Sequence, residues 1–108
     1  MNTTQRYSDS INSVAVATSV ASSAAIDFGD FETGRVHVPT GSALTTLTWH
    51  ASLERDGTYT QVRDGSNVDV TSTVAAGYNY QFPAALTGAR FVKITGNAAG
   101  VVGVTLKD

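Results

Sequence analysis

The chain contains no cysteine, two prolines and a single tryptophan among its 108 residues. Without cysteine, neither a disulfide framework nor a thiolate metal site can form. Its seven lysines and arginines are spread singly, so no basic stripe is available to neutralise phosphates, and we do not expect nucleic-acid binding. No stretch reaches the ~20 apolar residues of a membrane span, so we expect no membrane partner. A chain of this length predicts one domain around one core.

The segment 14–25 is small and apolar, as a secretory signal would be. It contains four hydroxyl residues and no leucine, so we do not expect a signal peptide. The polar lead before it, Met1–Ser10, has no periodicity and is either disordered or an arm that orders against a partner. We predict an arm over residues 1–10, with Arg6 and Tyr7 as contact residues, and a single β-sandwich domain over 11–108.

The most informative stretch runs from Leu44 to Val62 and predicts a β-hairpin. One side of its period-two pattern is apolar (Leu47, Trp49, Ala51, Leu53), and the other is polar (Thr46, Thr48, His50, Ser52). Asp56-Gly57 predicts a tight turn with positive φ angles, after which the return strand begins at Thr58. Trp49 is the expected centre of the core.

Short alternating segments recur along the rest of the chain. Valine and threonine are abundant and ten glycines punctuate the sequence, which favours strands and turns over helices. The stretch from Val14 predicts a strand, with an alanine-rich helix as the alternative. Turn signals recur about every 8–12 residues. We therefore predict an all-β fold, a two-sheet sandwich or jelly roll of eight to nine short antiparallel strands, and the sequence leaves the topology open.

Residues that could carry chemistry are few and scattered. His37 and His50 both fall on polar strand positions without a third metal ligand at a recognisable spacing. The acidic group Asp27, Asp30 and Glu32 indicates a solvated loop, and the segment 64–69 indicates a turn instead of a calcium loop. No Gly-x-Ser-x-Gly nucleophile motif is present. We predict no catalytic residues, no metal and no cofactor.

Tyrosines are the candidate contact residues on the surface. Tyr59 is out of phase with Val62, so either its ring faces outward or a bulge shifts the register, and we favour the outward ring. Tyr78 and Tyr80 lie near a turn. Together with outward threonine rows they could form a sugar-binding platform or a protein contact surface.

Residues 24–108 resemble small virion proteins of tailed bacteriophages that are encoded near the head genes. The resemblance lies in strand-and-turn segments at 46–52, 56–59, 70–77, 82–83, 91–100 and 104–107. It implies an oligomeric capsid decoration or cement protein, located in the virion after assembly in the host cytoplasm. The implied partner is the major capsid protein or a neighbouring virion protein.

A second, weaker likeness is to discoidin and galactose-binding sandwiches. It rests on Trp49-x-x-Ser52, the following Asp56-Gly57-x-Tyr59 and the later segment 90–94. That likeness implies the alternative function, a carbohydrate-binding module of a phage fibre or adhesin with a glycan as its partner.

Overall fold

The computed structural model describes residues 8–29 and 31–107. Over these residues the chain forms nine strands and two short 3₁₀ turns, Val20–Ser22 and Ala84–Leu86. The strands are β1 (Ser8–Val16), β2 (Ile26–Asp27), β3 (Thr33–His37), β4 (Thr46–Ser52), β5 (Thr60–Gln61), β6 (Thr71–Thr73), β7 (Asn79–Gln81), β8 (Phe91–Gly96) and β9 (Gly100–Lys107). No helix within the described ranges is long and apolar enough to cross a membrane.

The strands form two antiparallel sheets. Sheet A has the order β1-β9-β3-β7, and sheet B has the order β2-β8-β4-β5 with β6 also paired to β4. The pairing is nested, because β1 pairs with β9, β2 with β8, β3 with β7, and β4 with β5 and β6. Such nesting is the strand order of a jelly roll. The predicted two-sheet sandwich is confirmed.

The core lies between the sheets and is centred on Trp49, whose side chain is 0 % exposed. Its ring centroid lies 4.8 Å from that of Phe82, which in turn lies 5.5 Å from that of Phe28. The indole Nε1 donates a hydrogen bond of 3.0 Å to Ser72 Oγ on β6, so burial leaves the donor satisfied. The predicted position of Trp49 is confirmed.

Gly34 explains how Phe82 reaches this cluster. Gly34 occupies an inward position on β3, and a Cβ there would lie 3.0 Å from both the Phe82 ring and a Leu106 methyl group. A side chain at this position would therefore displace the ring from the core.

The central hairpin differs from its prediction at the turn. Strand β4 ends at Ser52, and Leu53 is 90 % exposed, so its predicted inward position is wrong. The return strand begins at Thr60, after a connection too long for a two-residue turn. Within the described ranges positive φ occurs only at Asn67, Gly41, Gly77 and Gly88, so the positive φ predicted for Asp56-Gly57 is also wrong.

Gly57 is needed because it has no side chain, and not because of its φ angle. Its N–H donates to the Glu54 carbonyl at 3.1 Å, and a Cβ on Gly57 would lie 2.8 Å from Ser52 Oγ. Ser52 Oγ also accepts a hydrogen bond from the Glu54 N–H, which closes the connection over the end of β4.

The predicted arm overlaps the fold at its end. Ser8–Ser10 belong to β1, with Ser8 in register with Lys107 and Ser10 with Thr105, so the predicted boundary at residue 10 is corrected to the start of β1. The remainder of the predicted arm, including Arg6 and Tyr7, lies outside the described residues.

Replacing Trp49 with alanine is expected to lower the free energy of unfolding by about 3–5 kcal/mol, because the change leaves a cavity between the sheets. Urea denaturation followed by circular dichroism measures this loss. Trp49→Phe, which keeps an aromatic ring, is the control and should lose less. A loss below about 1 kcal/mol for Trp49→Ala would contradict the central position of this ring.

Gly57→Ala is expected to cost about 1 kcal/mol, because the new methyl group meets Ser52 Oγ and the Glu54 carbonyl. Gly65→Ala is the matched control, since a Cβ on Gly65 meets nothing within 4 Å. Both variants change the unfolded chain in the same way, so the difference between their unfolding midpoints isolates the folded-state contact. Equal midpoints would show that the connection yields freely.

Candidate interaction surface

The predicted contact tyrosines are distributed over two sheets. Tyr59 adjoins β5 of sheet B, and its hydroxyl donates to the Arg55 carbonyl at 2.7 Å. Tyr80 on β7 of sheet A is half-buried against the core, and its hydroxyl accepts a 2.8 Å hydrogen bond from the Ala75 N–H. Tyr78 precedes β7 and is 65 % exposed. The structure therefore does not gather these three residues into one platform.

The outer face of sheet B is covered near β8 by two loops of the chain. Lys93 Nζ lies 4.7 Å from the centroid of the Tyr59 ring and donates to the Val20 carbonyl at 3.2 Å. This single ammonium joins the β4–β5 connection and the first 3₁₀ turn to the sheet. Tyr59 accordingly lies on the outer side, as favoured from the sequence.

Phe91 is part of the same cover. It is in register with Asp27 and Ser52 on outward positions, yet only 8 % of its surface is exposed. The guanidinium carbons of Arg55 and Arg90 each lie 5.2 Å from its ring centroid. This contact was not predicted from the sequence, although adjacent Phe91 and Val92 indicate a strand that is buried on both faces.

The two histidines lie on opposite outer faces. His50 Nε2 is 3.0 Å from Thr95 Oγ1 on sheet B, and His37 Nε2 is 3.2 Å from Thr105 Oγ1 on sheet A. They therefore cannot share a ligand. In the part of the chain that the structure describes, no carboxylate hydrogen-bonds to either ring, and no group of three or more metal-ligating side chains converges.

The acidic candidates form local structure. Asp64 Oδ1 accepts hydrogen bonds from the N–H groups of Ser66 and Val68, at 2.8 and 3.0 Å, so the predicted turn is confirmed. Asp27 caps the N–H of Gly29 at 3.2 Å and faces Arg55 at 3.9 Å. Glu32 is exposed, and Asp30 lies outside the described residues.

The outer face of sheet A, in contrast, carries an open polar groove. Ser10, Thr105, Arg35 and Gln81 are in register across all four strands, and Lys107 and Thr33 form the next row. A depression of about 400 Å³ lies over these rows. We call it the sheet A groove, and its lining consists of Ser10, Thr33, Gly34, Arg35, Gln81, Thr105, Leu106 and Lys107.

The groove is mainly a hydrogen-bond-donating surface. The Arg35 Nη1 donates to Asn79 Oδ1 at 2.8 Å, and this bond orients the guanidinium. It uses one of the five N–H donors of the guanidinium. Lys107, the Thr33 hydroxyl and the Gln81 amide add further donors, while the Thr105 hydroxyl is paired with His37. This arrangement can orient a polar or anionic partner.

No protein-family model, curated protein sequence or solved structure matches the chain.

The environment of His50 predicts a pH dependence of stability. Burial lowers the pKa of His50 below its ordinary value, so the folded state takes up its proton less readily than the unfolded state. This contribution to stability is full above about pH 6.5 and is lost as the pH falls below that value. We expect the free energy of unfolding, measured with urea, to decrease between about pH 7.5 and about pH 5.5.

His50→Gln should show a shallower decrease over this range. His37→Gln is the control, because His37 pairs with a threonine on the other sheet and its loss leaves the contribution of His50 in place. Equal slopes for the wild type and His50→Gln would refute the assignment.

Proposed function

We propose that the chain is a non-enzymatic structural protein of a tailed-phage virion, an oligomeric decoration or cement protein that binds the capsid surface and stabilises the head. Its partner would be the major capsid protein or a neighbouring virion protein, and assembly would take place in the host cytoplasm. The resemblance of residues 24–108 to small virion proteins encoded near the head genes supports this proposal.

The structural observation that carries the proposal is that the outer face of sheet B is covered and the outer face of sheet A is open. Loops cover sheet B around Phe91 and Lys93, whereas the groove leaves sheet A open. A protein that presents one polar sheet face is suited to lie against a larger surface. Jelly rolls occur in viral capsid proteins, but they also occur in lectins, so the fold by itself does not decide the function.

The position of the N-terminus adds to this argument. Ser8 begins β1 in register with Lys107, and both Lys107 and Ser10 border the groove. The described chain therefore enters β1 beside the rim of the sheet A groove. The proposal keeps Arg6 and Tyr7 of the predicted arm as contact residues.

A carbohydrate-binding module of a phage fibre or adhesin is the second candidate. The exposed Tyr78 favours it, because an exposed aromatic face can stack on a sugar ring. Trp49, the largest aromatic side chain, is enclosed in the core and cannot stack. A glycan array on which Tyr78→Ala abolishes a wild-type signal would favour this candidate, and an array without signal would count against it.

We expect the full chain to bind saturably to purified heads of the phage or prophage that encodes it, after heads lacking it have been prepared by gene deletion. A chain starting at Ser8 should bind at least about tenfold more weakly, because it lacks the arm, a difference of about 1.4 kcal/mol. Co-sedimentation measures binding, and circular dichroism controls for folding of the truncated chain. Undiminished binding would remove the arm from the mechanism, and absent binding of the full chain would contradict a decoration function.

A further inference from the structure

We propose that the sheet A groove binds an extended acidic segment of a partner protein, with two carboxylates that are two residues apart engaging Arg35 and Lys107. The inference rests on the proposed function, since it specifies the chemistry by which a neighbouring virion protein would be recognised.

The charges of the groove are unusual for this chain. Arg55 faces Asp27 at 3.9 Å and Arg63 faces Asp69 at 3.1 Å, while Arg90 and Lys93 lie against aromatic rings. Among the described cations, only Arg35 and Lys107 contact neither a carboxylate nor an aromatic ring, and both line the groove. The chain as a whole has a net charge of −2. The groove is thus a local positive site on an acidic protein.

Acidic side chains that are described lie outside the groove lining. Glu32 lines a neighbouring depression together with Phe28 and Pro83, and that depression shares Thr33 and Gln81 with the groove. A bound carboxylate would therefore meet Arg35 and Lys107 without a competing acid among the described residues of the lining.

The spacing of the two cations selects an extended peptide. Arg35 is directly opposite Thr105, and Lys107 is two residues farther along β9, so the two cations are diagonal neighbours on one face. Diagonal neighbours on a sheet are separated by about 7–8 Å. Side chains two residues apart in an extended chain point to the same side at about 6.6–6.8 Å, which matches this separation.

Other classes of ligand fit the groove less well. A nucleic acid would need many more cations, because specific and non-specific binding both rely on neutralising several phosphates. A sugar would need an aromatic platform, and none of the described residues of the lining is aromatic. The volume of about 400 Å³ falls in the range of pockets that enclose small ligands, so the groove can receive several side chains of a peptide.

The direct test is an NMR titration of the full chain with two synthetic peptides, one alternating threonine and glutamate and the other alternating threonine and glutamine. We expect saturable shifts of amides in β3 and β9 with the glutamate peptide and none with the glutamine peptide. Arg35→Glu should weaken binding by about tenfold or more, because attraction becomes repulsion. The matched control Arg63→Glu changes the charge equally at an exposed site outside the lining and should bind within about twofold of the wild type.

Absence of binding by the wild type, equal weakening by both variants, or shifts confined to sheet B would overturn the inference. Tighter binding at the groove by a heparin fragment or a single-stranded oligonucleotide, run as parallel probes, would overturn it as well. Binding to purified heads distinguishes failure of the groove inference from failure of the proposed function. If Arg35→Glu binds heads as the wild type does, the groove inference fails and the decoration function stands; if the wild type binds the peptide but not heads, the decoration function fails and the groove inference stands.

Discussion

The enclosure of Trp49 between the two sheets is the constraint on which the rest of the structure depends. Its ring packs on Phe82, and its only polar atom is satisfied by Ser72 on the neighbouring strand β6. An indole placed in this way fixes the phase of β4, because a shift of one residue would expose the ring and bury His50. The same phase then determines, through strand pairing, which residues of β8 face outward. The core thus defines the outer surface as well as the interior.

From that phase follows the difference between the two outer faces. On sheet B, Phe91 and Lys93 point away from the core and are covered by the β4–β5 connection and the first 3₁₀ turn. On sheet A, the outward row around Arg35 and Thr105 carries polar side chains and no covering loop among the described residues. A cation that lies over an aromatic ring already makes a cation–π interaction within the fold, whereas a cation on an open face can bind a partner. This division is the physical basis for our proposal that a partner binds sheet A.

The strands and the core could be predicted from sequence because both depend on local alternation. The turn after Ser52 could not be predicted in this way. Glycine is needed at position 57 because a Cβ there would contact Ser52 Oγ, and the neighbouring residues in the sequence do not reveal this contact. The groove was equally inaccessible. Arg35, Gln81 and Lys107 meet only because β3 pairs with both β7 and β9, and no local pattern encodes pairings between segments so far apart in the chain. Of the predicted contact residues, Tyr59 faces outward but belongs to the cover of sheet B.

We propose that the protein binds its partner through the outer face of sheet A. The decisive experiment is hydroxyl-radical footprinting of the chain, free and mixed with the phage heads that we propose as its partner, with mass spectrometry measuring oxidation residue by residue. We expect protection on binding at Arg35, His37, Gln81 and Lys107, with Leu53, Thr71 and Thr73 on the sheet B side unchanged. Protection of the sheet B residues with an unchanged sheet A face would contradict the proposal.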